Sequence, residues 1–470
     1  MKNAIVLCAG KGTRMHSELP KGAFIVIDKP MVVHTVDALK KAGVDNIVVV
    51  VGHLREAIED ILKDRDVLFA VQEKQNGTAS AALSAESKLK DFDGETIILP
   101  GDMPLVNSEL IDELFESHKN MASDLTVLSG IVDNPFGYGR IIRDDNGIFT
   151  EIVEENDATP KQKSCCEINS GLIICSNKLL FNELKKIDNK NFKNEYYLTD
   201  IVSIMKRDGY RVNAHVCGDS SIIIGVNDRY ALSKAERILA NRIKKNLMLS
   251  GVTIRYPESV MIGEDVEIGP DTEIEPNTTI LGKTIIGSHS IIGPNTEIDS
   301  SIIGSNVIVK HSLVSDTKIG DNTTVGPFAH LRNGASIGPN NRIGNFVEVK
   351  NSSTGSLTKA SHLAYIGDAT IGNNVNFGCG AITVNYDGKN KWKTEIGNNA
   401  FIGSNSNLIA PIKIEDGAFV ACGSTINHNV PEGALVIARA TEVVKEGYAE
   451  KLRKRALLKS AQNDKNKSWQ

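Results

Sequence analysis

Three stretches of this 470-residue chain place reactive residue types close enough together to do chemistry. The first is Cys8-Ala9-Gly10-Lys11-Gly12-Thr13-Arg14-Met15, a glycine-rich turn directly after the apolar run Ala4-Ile5-Val6-Leu7. Backbone N–H groups of such a turn can cradle phosphate oxygens, and Lys or Arg adds charge. It lacks the Gly-Lys-Ser/Thr ending of a Walker loop and the third glycine of a dinucleotide fingerprint, so alone it names no reaction. The second is Asp102, in Pro100-Gly101-Asp102-Met103-Pro104, just past the apolar run Thr96-Ile97-Ile98-Leu99. Ligands of open α/β sheets collect there, and the carboxylate reads either as a Mg²⁺ ligand or as a turn-capping Asp. The third lies in the C-terminal half, where polar residues cluster in 350–362, ending at His362, and in Asn385-Tyr386-Asp387-Gly388-Lys389.

Different elements must hold these residues in the two halves. Apolar runs at Ala4–Leu7, Asn46–Val51, Val67–Ala70 and Thr96–Leu99 alternate with helical stretches such as Met31 to Lys41. That alternation predicts an open, mainly parallel α/β sheet. Farther on, isoleucine returns every sixth residue at Ile262, Ile268, Ile274, Ile280, Ile286, Ile292 and Ile298. The spacing resumes from Ile319 through Val325, Leu331, Ile337 and Ile343 to Val349, and again from Ile396 through Ile402, Leu408, Ile414 and Val420 to Ile426. A period of six fits neither an amphipathic helix nor strand alternation; it marks a parallel β-helix of hexapeptides with one aliphatic per short strand pointing inward. Handedness does not follow from the period. The rhythm breaks between Val349 and Ile366, predicting an extended loop over Lys350–His362, and between Thr383 and Ile396, predicting a second insertion. Insertions in a solenoid gather on a binding face, so the polar residues there point to a site; without one, the repeat would be a spacer or a trimerisation stem.

Composition excludes several classes. With 41% hydrophobic and 24% charged residues the chain has the make-up of a globular protein, and no apolar run reaches the roughly 20 residues of a membrane span. A net charge of -5 gives no nucleic-acid footprint. Seven cysteines without a Cys-x-x-Cys spacing fit a reducing compartment, and the N-terminus does not read as a secretory signal, so a cytoplasmic location is expected. Apolar residues at Leu232, Ala235, Leu239 and Ile243 predict a connecting helix. Domains are expected at 1–227, 251–440 and, as a basic tail, 441–470, with the linker helix at 228–250.

Taken together, Ala9-Gly10-Lys11-Gly12-Thr13-Arg14-Met15 with Leu19-Pro20-Lys21, then Gln72, Gly77-Thr78, Gly101-Asp102, Gly137-Tyr138-Gly139-Arg140, Glu154, Asn169 and Gly225-Val226-Asn227 resemble a known family in order and spacing. So do Phe328-Ala329-His330-Leu331-Arg332, Phe346-Val347-Glu348-Val349-Lys350, Ser361–Asp368, Asn376–Gly380 and Val384–Gly388. The family is the bacterial bifunctional N-acetylglucosamine-1-phosphate uridyltransferase and glucosamine-1-phosphate N-acetyltransferase. The likeness covers nearly the whole chain. It implies a Rossmann-like nucleotidyltransferase domain, a left-handed β-helix and a homotrimer, with UTP, N-acetylglucosamine 1-phosphate, glucosamine 1-phosphate and acetyl-CoA as substrates.

By that resemblance Leu7, Cys8, Ala9, Gly10 and Lys21 hold the nucleotide, with Gln72, Gly77 and Thr78 on the uracil and ribose. Gly139, Glu154 and Asn169 hold the amino sugar, Asp102 and Asn227 share one Mg²⁺, and Lys21 and Arg14 face the phosphates. In the second half the resemblance makes His362 the base and Glu348 its orienter. It places Arg332, Lys350, Tyr365 and Asn376 on the acetyl acceptor, and Cys379, Asn385, Tyr386, Ser404, Cys422 and Arg439 on acetyl-CoA. Gly22-Ala23-Phe24 stands where the family carries Val-Leu-His, and Cys8, Cys379 and Cys422 where small residues are common; none removes a charged or metal-binding group. Two rivals remain: a monofunctional sugar-nucleotide transferase with a structural or regulatory hexad domain, and a metal-binding scaffold, which would need clustered histidines.

Overall fold

The computed structural model describes residues 1–10 and 12–467; Lys11 of the glycine-rich turn and residues 468–470 of the tail lie outside the described residues. The chain forms two compact units, one of Met1–Val266 with Thr279–Gly282, the other of Glu267–Thr278 with the chain from Lys283 onward.

The first unit is built on a mixed, mainly parallel sheet of β1 (Lys2–Leu7), β2 (Asn46–Val51), β3 (Leu68–Val71), β4 (Glu95–Pro100), β5 (Leu125–Ile131), β6 (Arg140–Arg143), β7 (Phe149–Val153), β8 (Glu167–Ser176) and β9 (Val212–Val216). Its main path runs β9-β5-β8-β4-β1-β2-β3, with β6 and β7 hanging from β8. Strand β8 is antiparallel to both β4 and β5, whereas β1 is parallel to both its neighbours. Its residues alternate between two cores: Ile5 packs with Val48, Val50 and Ile98, and Val6 with Val49, Ile97 and Leu99. Burial on both faces is why these strands are continuous apolar runs rather than alternating ones. Helix α1 (Met31–Lys41) buries Val32, Val36 and Leu39 on the second core, and α2 (Ser108–Asn120) buries Leu110, Ile111 and Leu114 there.

Helix α3 (Arg229–Leu249) starts where the Asp228 carboxylate accepts from Ala231 N at 2.8 Å. It buries Ala235 and Leu239 against Met15, Phe24, Val26 and Leu105, so this predicted connector is part of the first unit's packing. Its neighbour Ile262 pairs with Ile280 in the same unit.

The second unit is a parallel β-helix of the left-handed hexapeptide class, whose inward side chains stack in three columns. One runs Ile298, Val314, Leu331, Val349, Ile366 and, after Thr383, Leu408 and Ile426. The second runs Ile268, Ile286, Ile303, Ile319, Ile337, Thr354, Ile371, Ile396 and Ile414. The third runs Ile274, Ile292, Val309, Val325, Ile343, Ala360, Phe377, Ile402, Val420 and Val436. Each such aliphatic contributes roughly 1.5–3 kcal/mol on burial, before the ordering cost. The edges of the prism are turned by residues at positive φ, Asn above all, as at Asn333, Asn351, Asn374 and Asn399. A small Thr or Ser two places before the aliphatic packs beneath each edge and bonds to the next coil, as Thr272 Oγ1 does to Gly287 O at 2.8 Å.

These columns correct the extended loop expected over Lys350–His362. That segment stays in the prism: Ser353–Thr354 pairs with both neighbouring coils, and Thr354 and Ala360 take the inward places. Coils here contain five-residue steps, such as Val349 to Thr354, and polar or small inward residues, so a search for large branched aliphatics every sixth residue loses the register without the chain leaving the helix. The second expected insertion does leave it: between Val384 and Thr394 the chain bows out, with Tyr386 and Trp392 exposed. The tail forms a helix, Tyr448–Lys467.

Candidate active sites

In the first unit the sheet delivers its polar residues to the carboxyl ends of β1 and β4. Leu7 is paired with Val50 and Pro100, the Cys8 amide donates to Val50 O at 2.8 Å, and Gly101 N donates to Leu7 O at 3.0 Å. The glycine-rich turn and the Gly101-Asp102 turn therefore leave the sheet side by side. Gly12 sits at φ +59, and a Cβ there would press on Lys21 at 3.0 Å. Lys21 Nζ donates to the Asp102 carboxylate and, at 2.8 Å, to Asn227 Oδ1; Arg14 donates to that same oxygen at 2.9 Å. Leu7, Cys8, Gly10, Arg14, Lys21 and Asp102 line a cavity of about 260 Å³. Ala9 turns into the core instead. Burial pushes the Cys8 thiol well above its ordinary range, with Asp102 adding to the effect, which disfavours the thiolate.

Two hard oxygen donors, the Asp102 carboxylate and the Asn227 carboxamide, thus converge on one ammonium. Among the described residues no cluster of three or more His, Cys, Asp or Glu forms a dedicated metal cage. The donor set fits a Mg²⁺ ion, which binds through one or two protein oxygens and takes the rest from water and phosphate.

A second group surrounds the end of β3. Gln72 is buried and donates to Gly77 O at 3.0 Å; Gly77 adopts φ +132, where a Cβ would overlap the Tyr196 backbone. Thr78 Oγ1 accepts from Leu198 N at 3.0 Å. A third group gathers at β6 to β8. Asn169 N donates to Gly139 O at 2.8 Å, and a Cβ on Gly139 would lie 3.5 Å from Glu154 Oε2. Glu154 accepts from Thr199 Oγ1 at 3.0 Å, and burial raises its carboxyl above the usual range. Buried Arg140 pairs with Glu155 at 2.7 Å and caps Tyr138 O, which fixes the Gly137–Gly139 turn. The segment Tyr196–Asp200 joins these two groups, backing Gly77 with Tyr196, Thr78 with Leu198 and Glu154 with Thr199. Sequence reasoning missed it, because the role of these residues comes from what the chain places opposite them.

On the prism, β10 (Arg342–Lys350) and β11 (Lys359–Gly367) pair in parallel, with Asn345 opposite His362, Glu348 opposite Tyr365 and Lys350 opposite Gly367. Arg332 stands beside Lys350 on the preceding coil and binds Glu348 through Nε at 2.9 Å and Nη2 at 2.6 Å. His362, Cys379, Ser404 and Cys422 each come just before the positive-φ residue of one edge, namely Leu363, Gly380, Asn405 and Gly423. They form a ladder, one per coil, stitched by Gly380 N to Leu363 O at 2.6 Å, Asn405 N to Cys379 O at 2.8 Å and Gly423 N to Ser404 O at 2.8 Å. Arg439 flanks Gly423 at its far end. Asn376 lies on the face of the third column, between Lys359 and Phe401.

Comparison with known proteins agrees with both halves. The MobA-like NTP transferase domain model matches residues 4–145, and the bacterial transferase hexapeptide model matches six repeats within 262–300, 316–351 and 393–428. The chain is 51% identical over 453 residues to the bifunctional protein GlmU of Acholeplasma laidlawii, covering 96% of this chain and 98% of that one. This chain belongs to the bifunctional GlmU family. It is also 50% identical to the GlmU of an Exiguobacterium species, over 95% of this chain and 99% of that one. Against the GlmU of Staphylococcus epidermidis the figures are 48%, 96% and 100%.

Within this GlmU chain one expected pairing is not formed. Glu348 does not orient His362: its carboxylate is taken by Arg332, and His362 Nδ1 faces Asn345 Oδ1 at 3.2 Å. Asn385 and Tyr386 do not share an edge with His362. They begin the bow at the edge turned by Asn333, Asn351 and Asp368, where the Asn385 carboxamide is bound to Asp368 and Asn351 Nδ2 donates to Asp368 at 2.5 Å. The Asp387 carboxylate accepts from Trp392 Nε1 at 2.7 Å and from the amides of Lys389 and Asn390 at 2.8 and 2.6 Å, which shapes the bow and holds its pKa down to about 2. Asn345 and Asp368 were not singled out from sequence, since neither breaks the repeat.

Proposed function

We propose that the chain makes UDP-N-acetylglucosamine in two steps: acetyl transfer from acetyl-CoA to glucosamine 1-phosphate, then uridyl transfer from UTP to N-acetylglucosamine 1-phosphate with release of pyrophosphate. The observation that carries this reading is the convergence of Lys21, Arg14, Asp102 and Asn227 on one point beside a cavity of about 260 Å³, in a chain 51% identical to a GlmU over nearly its whole length.

Uridyl transfer is assigned to 1–227, acetyl transfer to 251–440, with 228–250 between them and 441–470 as the tail. Nucleotidyl transfer in this family depends on a divalent metal. We assign Mg²⁺ on Asp102 and Asn227, where it would screen the triphosphate's charge. The acceptor is already an anion, so its 1-phosphate oxygen attacks the α-phosphorus of UTP without a base, and the bond to pyrophosphate breaks. What the chain adds is position and charge: Lys21 and Arg14 on the phosphates, Leu7 to Gly10 along the nucleotide, Gln72, Gly77 and Thr78 on the uridine, and Gly139, Glu154 and Asn169 on the sugar.

In acetyl transfer the imidazole of His362 takes a proton from the glucosamine ammonium, and the freed amine attacks the thioester, releasing CoA. Histidine suits this because its ordinary pKa, about 6.5, lies close to working pH. Arg332, Lys350, Tyr365 and Asn376 would bind the sugar phosphate; Cys379, Ser404, Cys422 and Arg439 follow the CoA arm, completed by Asn385 and Tyr386. Because those last two sit on another edge, a site using both edges calls for a neighbouring copy, and we assign a homotrimer of parallel prisms. Phe328, Phe346 and Leu363, each 56% exposed along the His362 edge, support such self-association. All seven cysteines are free, which supports a cytoplasmic location.

The test is to incubate the purified protein with glucosamine 1-phosphate, acetyl-CoA, UTP and Mg²⁺ and identify products by mass. Asp102→Ala should abolish UDP-sugar formation and leave CoA release; His362→Ala should do the reverse when N-acetylglucosamine 1-phosphate is supplied. A folded single variant that loses both activities refutes the division of labour.

A further inference from the structure

The hydrogen bond between His362 and Asn345 carries a consequence for how the base works. Strands β10 and β11 are in register from Arg342 opposite Lys359 to Lys350 opposite Gly367, and that register sets Asn345 beside His362. Gly344 permits the approach, since a Cβ there would overlap the Ser361 carbonyl. Immediately after the pair, Phe346 and Leu363 turn the edge at φ 56 and 33. Non-glycine residues rarely hold this conformation, so the surrounding coils dictate the direction in which both side chains leave the prism.

We infer that Asn345 is a positioning residue for His362, its carboxamide oxygen accepting from Nδ1–H so that Nε2 keeps the lone pair that takes the amine's proton. The inference rests on the proposed role of His362. Asn345 Oδ1 lies 3.2 Å from Nδ1, and among the described residues the ring has no other hydrogen bond and no ion pair. The charged and titratable side chains on the strands stacked about it are Arg342, Glu348 and Lys350 on β10, Lys359 and Tyr365 on β11, and Cys379 on the next coil. Glu348, the one carboxylate among them, is engaged by Arg332. An oxygen acceptor on Nδ1 fixes the tautomer because a neutral imidazole carries one proton. A neutral amide does this without adding the negative charge that a carboxylate would, so the ring is oriented without being biased toward holding a second proton. With the amide reversed, Nδ2 would donate to Nδ1 and the ring proton would sit on Nε2, useless for proton removal. The tautomer is therefore the deciding observable.

The experiment combines nitrogen-15 NMR of histidine-labelled protein with acetyl-transfer kinetics. His362 is assigned by the resonance lost in His362→Gln, and at pH 8 the wild type should show the proton on Nδ1. Asn345→Ala should lose that preference and lower kcat for CoA release about tenfold, the worth of one hydrogen bond, with KM for glucosamine 1-phosphate little changed. Asn345→Asp should recover most of kcat and move the acid limb of its pH profile upward. Uridyl transfer should stay at the wild-type rate in all three variants, reporting an intact fold. A wild-type ring protonated on Nε2, or Asn345→Ala with wild-type kcat and pH profile, overturns the inference alone. A His362→Gln protein that still transfers acetyl at the wild-type rate overturns the reading beneath it.

Discussion

Removing the ammonium of Lys21 while keeping its stem, as in Lys21→Met, separates what that residue does for stability from what it does for nucleotide transfer. In the structure its Nζ spans the Asp102 carboxylate and the Asn227 carboxamide, and the lysine and aspartate side chains are each 18% exposed. Hydrogen bonds to charged groups are worth about 1.5–3 kcal/mol, and the remaining contact with water lowers this to about 1–2 kcal/mol. For a unit of this size the unfolding midpoint of the first transition should fall by about 3–6 °C without metal. On the proposed assignment of Mg²⁺ to these two oxygens, the cation should oppose this loss. In the wild type a cation at Asp102 and Asn227 must first displace the ammonium, whereas in Lys21→Met it meets an unpaired Asp102 carboxylate and an Asn227 oxygen held only by Arg14. The gap in Tm between the two proteins should therefore shrink as Mg²⁺ is raised toward saturation, beyond the ordinary stabilisation of about 2.7 kcal/mol expected at a hundredfold excess over Kd. Calorimetry across a Mg²⁺ series, with Ca²⁺ and Na⁺ controls, reads this directly. Uridyl transfer should fall on the order of 10²–10³-fold while CoA release is unchanged. A Tm gap that is zero without metal, or that stays constant as Mg²⁺ rises, would refute the reasoning.

Three further outcomes follow from particular contacts. Burial, and then the charges of Glu154, Asp188 and Asp157, raise the Asp200 carboxyl to about 6. Its folded form holds the proton more tightly than the unfolded chain, so it lowers stability progressively as pH climbs from about 4 to 6 and by a constant amount above that. Asp200→Asn should accordingly raise stability at pH 7.5 by roughly 1 kcal/mol after discounting its half exposure, read as a higher Tm, and change nothing at pH 3.5; equal Tm shifts at both would contradict it. Gly77→Ala should cost more than about 2 kcal/mol and abolish uridyl transfer, because a Cβ at φ +132 meets the Tyr196 backbone; a variant with wild-type Tm and UTP affinity would show that the turn can yield. Phe377→Ala should remove about 3–5 kcal/mol from the prism and lower CoA release, since the neighbouring Ala360 cannot fill the space; an unchanged second unfolding transition would count against this packing.

How far the fold could be read in advance differed from coil to coil. The columns at Ile268, Ile286, Ile303, Ile319 and Ile337 are legible because a branched side chain in a prism has no substitute of similar shape. The stretch around His362 departs from the expectation for the same reason, since the inward places of Thr354 and Ala360 hold a polar and a small side chain instead of a large branched aliphatic and the step from Val349 to Thr354 is five residues long. In the α/β unit, Gly12 and Asp102 could be picked out from the residues themselves, by a glycine-rich turn and a carboxylate past a buried strand, whereas Gly77, Lys21 and Asn227 came only with the family resemblance. Asn345 and Thr199 could not, as their importance comes only from what the chain places opposite them. The same limit explains Glu348: a carboxylate three residues from the paired position looks like an orienting group until Arg332 is seen to claim it.

A prism converts sequence into length at a fixed rate. Every full turn, whether sixteen to eighteen residues or twenty-five with the bow, advances the edge by one strand spacing, about 4.8 Å. The four rungs His362, Cys379, Ser404 and Cys422 are thus graduations on a ruler, and Arg439 stands one division beyond. Splicing a whole turn in or out between the first rung and the last would alter the length of that ladder by that single increment while every inward column closed up unharmed. Tuning reach without disturbing the core is something few globular folds allow, and it follows here from nothing more than the regular climb of the chain.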